Sequence, residues 1–180
     1  MTQTETLCNG RWLRLKRRGR WEFAERVNPG GAVIIIALTD EDRILFVEQW
    51  REAISCKTIE MPAGLIGDLD DQAHESAITA AQRELLEETG YRAERIEYFM
   101  QGPTSSGMSN EMIAFVRAYG LVREHAGGGD ASENITVHEV PRGDAPRWLV
   151  EKMREGYSID PKMFAALYFL ECGETLFGAD

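Results

Sequence analysis

The sequence predicts an α/β fold, and three stretches carry that prediction. Ala32 to Leu38 is an unbroken apolar run between Asn28-Pro29-Gly30-Gly31 and Thr39-Asp40-Glu41-Asp42. A run of that length bounded by turn residues reads as a strand covered on both faces. Glu75 to Tyr91 reads ESAITAAQRELLEETGY, with apolar and acidic residues at helical spacing. Arg11 to Val27 alternates around Gly19, the pattern of an antiparallel hairpin.

Each element follows in chain order. The hairpin carries Arg11, Arg14, Lys16, Arg17, Arg18 and Arg20, the chain's one positive concentration. Those cations suit either a solvated, edge-protecting strand face or a contact to phosphate or a partner. After the buried strand, Arg43 to Trp50 (RILFVEQW) is expected to form the next one. In Glu60-Met61-Pro62-Ala63-Gly64, Pro62 fixes φ and Gly64 permits close backbone approach. The long helix ends at Gly90, which suits a left-handed cap. Strands are expected from Ile96 to Met100 and from Met112 to Tyr119, around a loop spanning Gln101 to Glu111.

Gly127 to Asn134 is glycine-rich but is followed by neither Lys-Ser/Thr nor a helix, so it is read as a flexible loop and not as a phosphate-binding P-loop. Ile135 to Val140 alternates as a strand and stops at Pro141. Helices are expected from Asp144 to Glu155 and from Pro161 to Cys172, with Asp160-Pro161 supplying an N-cap and an N1 proline.

Composition bounds the class. A chain of 180 residues fits one domain with a full core. A net charge of −10 argues against a nucleic-acid partner, whose phosphates need a basic surface. Cys8, Cys56 and Cys172 are sparse and unpaired by spacing, which points to free thiols in a reducing compartment. His74, His125 and His138 show no zinc-ligand spacing. No apolar run approaches a membrane span and the N-terminus has no leader-like apolar region, so a cytoplasmic protein without membrane contact is expected.

The helix concentrates the chemistry. Glu84 and Glu88 lie one turn apart on one face, with Glu87 beside them. Two carboxylates about 5 Å apart repel by roughly 3 kcal/mol at an effective dielectric near 20. Three on one stripe require either full solvation or a cation. Ala77, Ala80 and Ala81 share or flank the stripe, so another segment or a ligand can come close, while Ile78 and Leu85 fall on an adjacent face that can enter a core.

Glu75 is followed after seven residues by Arg83-Glu84-Leu85-Leu86-Glu87-Glu88-Thr89-Gly90-Tyr91. This resembles the Nudix box, whose ending is R-E-(apolar)-x-E-E-x-G-(apolar). The resemblance implies an α/β/α sandwich with a mixed sheet, the N-terminal hairpin being added to it. Residues 1–180 would then form a single domain, with 1–27 as a dimer element and 28–180 as the catalytic core. It also implies a hydrolase that splits diphosphate linkages with Mg²⁺ or Mn²⁺, in keeping with oxygen-only ligands. Glu84 and Glu88 would be the main metal ligands, with Glu87 shared or behind them, and Glu88 would also serve catalysis. Arg83 would hold the glutamates in place, paired with Glu75 or the preceding loop.

Further stretches narrow the branch. Glu60 to Gly64 is similar to the E-x-P-A-G of ADP-ribose and nucleotide-sugar pyrophosphatases, in which the alanine carbonyl, here Ala63, is a metal ligand. Glu60 itself is then either an outer ligand or a structural partner. Gln49-Trp50-Arg51 resembles that branch's Gln-aromatic-Arg, which implies that Arg51 grips phosphate, although an ion pair with Glu48 or Glu52 would also suit it. Trp21-Glu22 resembles its aromatic-acidic pair, implying that Trp21 stacks on a base and Glu22 accepts from an exocyclic amine; packing in a core or a dimer contact is the other use of such a tryptophan. Ser105 to Glu111 keeps the branch's S-P-G-x-S-(D/N)-E apart from the proline, and makes Met108 a substrate contact. Gly156 to Lys162 resembles its C-terminal G-x-I-x-D-x-K.

A loop glutamate often acts as general base in this branch. Glu133 fits that role, with Asp130 as competitor or with no loop residue involved. One departure stands out: ten residues separate Gly64 from Glu75, where the family pattern has five. The longer loop, Gly67 to His74, carries Asp68, Asp70 and Asp71, as further contacts or as acidic residues at a helix start.

The expected activity is hydrolysis of ADP-ribose or a related nucleoside diphosphate sugar by a homodimer. Other Nudix substrates (dinucleoside polyphosphates, coenzymes, capped RNA) and a non-hydrolysing ADP-ribose sensor are the alternatives, and the full set of box glutamates counts against the sensor. Which sugar is preferred does not follow from these residues.

Overall fold

The computed structural model describes residues 3–27, 30–67, 75–129 and 133–176, the side chains of 173–176 excepted. Asn28, Pro29, the three loop aspartates, His74 and Asp130 lie outside the described residues. The order is β1 (Thr4–Asn9), β2 (Leu13–Arg18), β3 (Trp21–Arg26), β4 (Ala32–Ala37), β5 (Arg43–Arg51), β6 (Cys56–Glu60), β7 (Ala63–Leu65), α1 (Ala77–Thr89), β8 (Tyr91–Pro103), β9 (Met112–Arg123), β10 (Thr136–Pro141), α2 (Ala145–Arg154), β11 (Ser158–Ile159) and α3 (Lys162–Leu176).

The expected hairpin is present as β2 and β3, turning at Gly19 with φ 61°, but a third strand joins it. β1 pairs antiparallel with β2, and the cations of β2 bind it across the ladder. Arg17 Nε donates to Glu5 at 2.7 Å, Arg18 Nε to Thr4 at 2.8 Å and Lys16 Nζ to Thr6 at 3.0 Å. Cross-strand pairing is therefore what these basic residues do, and no phosphate contact is needed to explain them. Thr4–Asn9 carries little apolar patterning, which is why sequence alone did not mark it as a strand.

The mixed pairing expected of the α/β/α sandwich is present, its strands divided between two four-stranded sheets in the orders β10-β5-β6-β11 and β7-β4-β9-β8. Parallel pairing occurs between β4 and β9 and between β6 and β11, so each sheet is mixed. β4 is buried on both faces, as its apolar run requires. Val33, Ile35 and Ala37 face the core beneath α1, together with Ala80, Ala81 and Leu85. Ile34 and Ile36 face the other core, with Phe46, Ile59, Leu149 of α2 and Met163 and Ala166 of α3. The helices thus sandwich the strands, α1 on one side and α2 and α3 on the other.

α1 is shorter at its start than the acidic pattern suggests. Ser76 is the N-cap, its side chain accepting from Thr79 N at 3.1 Å, which leaves Glu75 outside the helix. Gly90 closes it in the left-handed conformation, φ 76°. Ile78 is 41% exposed and does not share the burial of Leu85, because the first turn lies at the exposed end of the helix.

The glycine-rich segment also departs from expectation. Gly127, Gly128 and Gly129 dock on the C-terminal end of α1 in place of forming a loose loop. Gly128 N donates to Glu88 O at 2.8 Å and Gly129 N to Glu87 O at 3.1 Å. Carbonyls at a helix end lack intrahelical partners, and these backbone amides supply them. A β-carbon on Gly127 would overlap Glu88 O and the Thr89 backbone, so glycine is what permits the approach.

Candidate active site

A cleft of 620 Å³ collects the acidic face of α1 and residues from both four-stranded sheets. Its lining includes Arg51, Ala63, Arg83, Glu84, Glu87, Glu88 and Glu133, which the sequence patterns had nominated. The elements deliver them for simple reasons. β7 places Ala63 and Gly64 against α1, and a β-carbon on Gly64 would overlap the Glu84 carboxyl. β5 brings Arg51 along the same face as Gln49, and α1 presents Glu84 and Glu88 one turn apart with Glu87 beside them.

Arg83 organises the acidic face. Its Nε donates to Glu75 Oε1 at 3.2 Å, Nη1 to Glu84 Oε1 at 2.8 Å and Nη2 to Leu65 O at 3.1 Å. Glu75 also accepts from Gly67 N at 3.0 Å, so the residue left outside the helix clamps the entering loop to Arg83. Burial opposes ionisation of both, but their mutual pairing wins: Glu75 is held below the usual carboxylate range and Arg83 is held charged.

Glu88 is the site's unusual carboxyl. It is 3% exposed and accepts a hydrogen bond from Ala63 N at 3.0 Å. Burial pushes its pKa well above the usual range, the Ala63 amide opposes that, and the charges of Glu84 and Glu133 add to the rise. Among the described residues no three acidic, His or Cys side chains are gathered as a ligand set; Glu84 leans on Arg83 and Glu88 on Ala63. The donor chemistry nevertheless fits a hard divalent cation. Seven carboxylates line the cleft against four cations among its described residues, and the most buried of the seven has one neutral donor to balance it.

Arg51 is paired, but not with Glu48 or Glu52. Its Nε and Nη2 donate to Glu60 Oε1 and Oε2, both at 2.7 Å. Thr58 Oγ1 donates to Glu60 Oε1 at 2.6 Å. Both Glu60 oxygens are thereby engaged, which makes it a structural partner of Arg51. Burial works against ionisation of Glu60, yet the bonds and charge of Arg51, the Thr58 hydroxyl and the charge of Lys162 hold it below the usual range.

Trp21, Glu22 and Met108 do not reach the cleft of their own chain. Trp21 is 55% exposed, its Nε1 donating to Gly107 O at 3.3 Å, and Met108 is 69% exposed. Met108 O accepts from Ala24 N, so the two stretches meet each other at the junction of the N-terminal sheet. Arg26 is the residue of β3 that lines the cleft, four positions and about 13 Å along the strand from Glu22. It pairs with Glu111, which also lines the cleft. Sequence reasoning missed both in this role, as it missed Lys162 and Asp160 at the start of α3, joined at 2.6 Å. The C-terminal D-x-K pattern was a signal for that last pair without a role attached.

Fold and site together define a class: an α/β protein whose helix-borne glutamates face a cleft suited to a divalent cation and an anionic ligand. The family model of the NUDIX domain matches residues 28–157, and the chain belongs to that family of hydrolases. Relatives span nearly the whole chain. A methanol dehydrogenase activator of Bacillus methanolicus is 33% identical over 97% of this chain and 93% of its own. An ADP-ribose pyrophosphatase of Bacillus subtilis is 36% identical over 88% of this chain and 81% of its own, and a GDP-mannose pyrophosphatase of Cronobacter sakazakii is 32% identical over 95% and 85%. The crystal structure of an ADP compounds hydrolase superposes with a TM-score of 0.70 at 20% identity, covering 96% of this chain and 92% of that one, and shares the fold.

Proposed function

We propose that the chain hydrolyses the diphosphate linkage of ADP-ribose or a related nucleoside diphosphate sugar, giving a nucleoside monophosphate and a sugar phosphate. The observation that carries this reading is the placement of buried Glu88, Glu84 and phosphate-competent Arg51 in one cleft. The names of the Bacillus subtilis and Cronobacter sakazakii relatives support the substrate class. Glu84, Glu87, Glu88 and the Ala63 carbonyl would hold the cation, Mg²⁺ or Mn²⁺. A divalent cation bound there neutralises phosphate charge and lowers the pKa of water.

The chain's own residues do the rest. Arg51 holds phosphate oxygens bidentately. Arg83 keeps Glu84 oriented, and Gly64 lets the acidic face come within reach of β7. Glu133 takes the proton of the attacking water as its oxygen bonds to phosphorus and the bridging P–O bond breaks. The whole chain acts as one catalytic unit. Exposed Leu7, Trp12, Leu13 and Leu15 on the N-terminal sheet support a homodimer formed through it, and three free thiols support a cytoplasmic setting. Among the described residues no helix is long and apolar enough to cross a membrane.

The Bacillus methanolicus relative favours a second reading. Its name links it to a dehydrogenase, and a nicotinamide dinucleotide carries the same diphosphate linkage. One panel separates these: phosphate release through a coupled phosphatase, with Mg²⁺, from ADP-ribose, GDP-mannose, UDP-glucose, diadenosine polyphosphates and NADH. Fast turnover of diphospho-sugars is expected, ranked by the panel and abolished by Glu88→Gln. Turnover of NADH alone would favour the second reading. Tight ADP-ribose binding by calorimetry with no turnover would make the protein a sensor.

A further inference from the structure

We infer that Glu60 is the positioning residue for Arg51, occupying one edge of the guanidinium so that the opposite edge is presented to the substrate diphosphate. This rests on the reading of the cleft given above. A guanidinium has five N–H donors in a rigid plane. Glu60 takes two of them, at Nε and Nη2. The three remaining, both on Nη1 and one on Nη2, make no hydrogen bond with the described residues and form the fork that matches two phosphate oxygens.

The sheet register builds this arrangement. Arg51 lies opposite Cys56 and Glu60 opposite Val47, so the arginine side chain runs along the sheet face past the Gln49–Thr58 pair to reach its partner. Glu60 is itself fixed, by the Thr58 hydroxyl on Oε1 and by a side chain 12% exposed. Lys162, which also lines the cleft, adds a compensating positive charge. The need for such a clamp follows from the surroundings. Glu88 and Glu133 also act on Arg51 electrostatically, and an unclamped arginine would swing onto those carboxylates. It would then neutralise the groups that must face the cation and the water. A buried carboxylate with no task of its own in the chemistry prevents that capture.

A double-mutant cycle on kcat/KM tests it, using the diphospho-sugar that the wild-type protein turns over fastest. The four proteins are wild type, Glu60→Gln, Arg51→Ala and the double variant, each with its thermal midpoint measured and assayed well below it. Glu60→Gln should lower kcat/KM about 10-fold or more, with KM raised, when Arg51 is present. In the Arg51→Ala background the same change should cost less than about 2-fold, because a residue acting through Arg51 has nothing left to position. Thr58→Val, which removes the second anchor, should reproduce a smaller loss with the same dependence on Arg51, and stands in if Glu60→Gln fails to fold. Equal losses in both backgrounds, or no loss from either variant, would overturn the assignment while leaving the hydrolase reading intact. A wild-type protein that turns over no diphospho-sugar overturns both.

Discussion

At Glu88 the proposed function and the stability of the fold stand in opposition at a single position. A carboxylate 3% exposed, with one backbone amide donating to it and two more carboxylates nearby, destabilises the folded chain unless a cation is bound. Replacing it by glutamine keeps the shape and the acceptor for Ala63 N while removing the buried charge. Glu88→Gln should therefore melt higher than wild type without divalent cation, by about 2–4 °C for each kcal/mol recovered, while losing activity on the order of 10²-fold or more. Adding Mg²⁺ at about 100 times its Kd should raise wild-type stability by about 2.7 kcal/mol and leave the variant unmoved. Differential scanning fluorimetry reads both. A lower melting temperature for the variant in the absence of metal would show that the charge is stabilised by the fold itself. Spacing on the helix made the three glutamates legible as a group. What it could not show is that Glu88 is sunk against β7 while Glu87 stays half exposed, since that depends on where β7 lies.

At the scale of elements, the acidic helix is held at both ends by contacts from distant sequence. Glu75 and Arg83 clamp its entry, and the Gly127–Gly129 segment caps its exit. Gly127 has φ 73°, and any β-carbon there meets Glu88 O and the Thr89 backbone. Gly127→Ala should cost about 1–3 kcal/mol and lower the thermal midpoint accordingly. Gly107→Ala, at a position with nothing within 4 Å and no positive φ, should stay within about 0.5 kcal/mol. Equal effects from the two would mean that the capping contact contributes nothing. The sequence marks both stretches as glycine-containing loops. It does not distinguish a docked loop from an open one, because the same composition permits each and the partner carbonyls lie some forty residues away. Of the two four-stranded sheets, β4, β5, β8, β9 and β10 are legible one by one, whereas the short β6, β7 and β11 are not; nor is the division into two sheets, since pairing partners are set by packing across the core.

At the scale of the molecule, Glu48 ties one of those sheets together. It sits on β5, 7% exposed, and accepts from Lys57 on β6 at 2.7 Å while contacting His138 Nε2 on β10 at 3.0 Å. Burial pushes its pKa up, but the hydrogen bonds and charges of Lys57 and His138 outweigh that and hold it below the usual carboxylate range. The sign follows directly. With the folded value below the unfolded one, the stabilisation is fully present above the ordinary glutamate pKa of about 4.3 and is lost as pH falls through the lowered value. Glu48→Gln should therefore melt well below wild type at pH 7, and the gap should narrow as pH drops from about 5 towards 3. Thermal midpoints of the two proteins across that range would check it. A gap that is constant with pH would assign the cost to packing and not to charge.

The chain's local chemistry settles a good deal before any fold is known. Helix, hairpin and buried strand follow from spacing and turn residues, and the box glutamates, Arg51 and Ala63 follow from motifs whose chemistry is carried by residue type. The tertiary structure decides who partners whom. It gives Arg51 to Glu60 and not to its neighbours in sequence, brings Arg26 into the cleft while Trp21, Glu22 and Met108 stay outside it, and spends the basic hairpin on a third strand. The physical reason is range. Periodicity and turn propensity act over a few residues, whereas desolvation and ion pairing depend on which surfaces are pressed together, and that is set by the packing of the two cores on either side of β4.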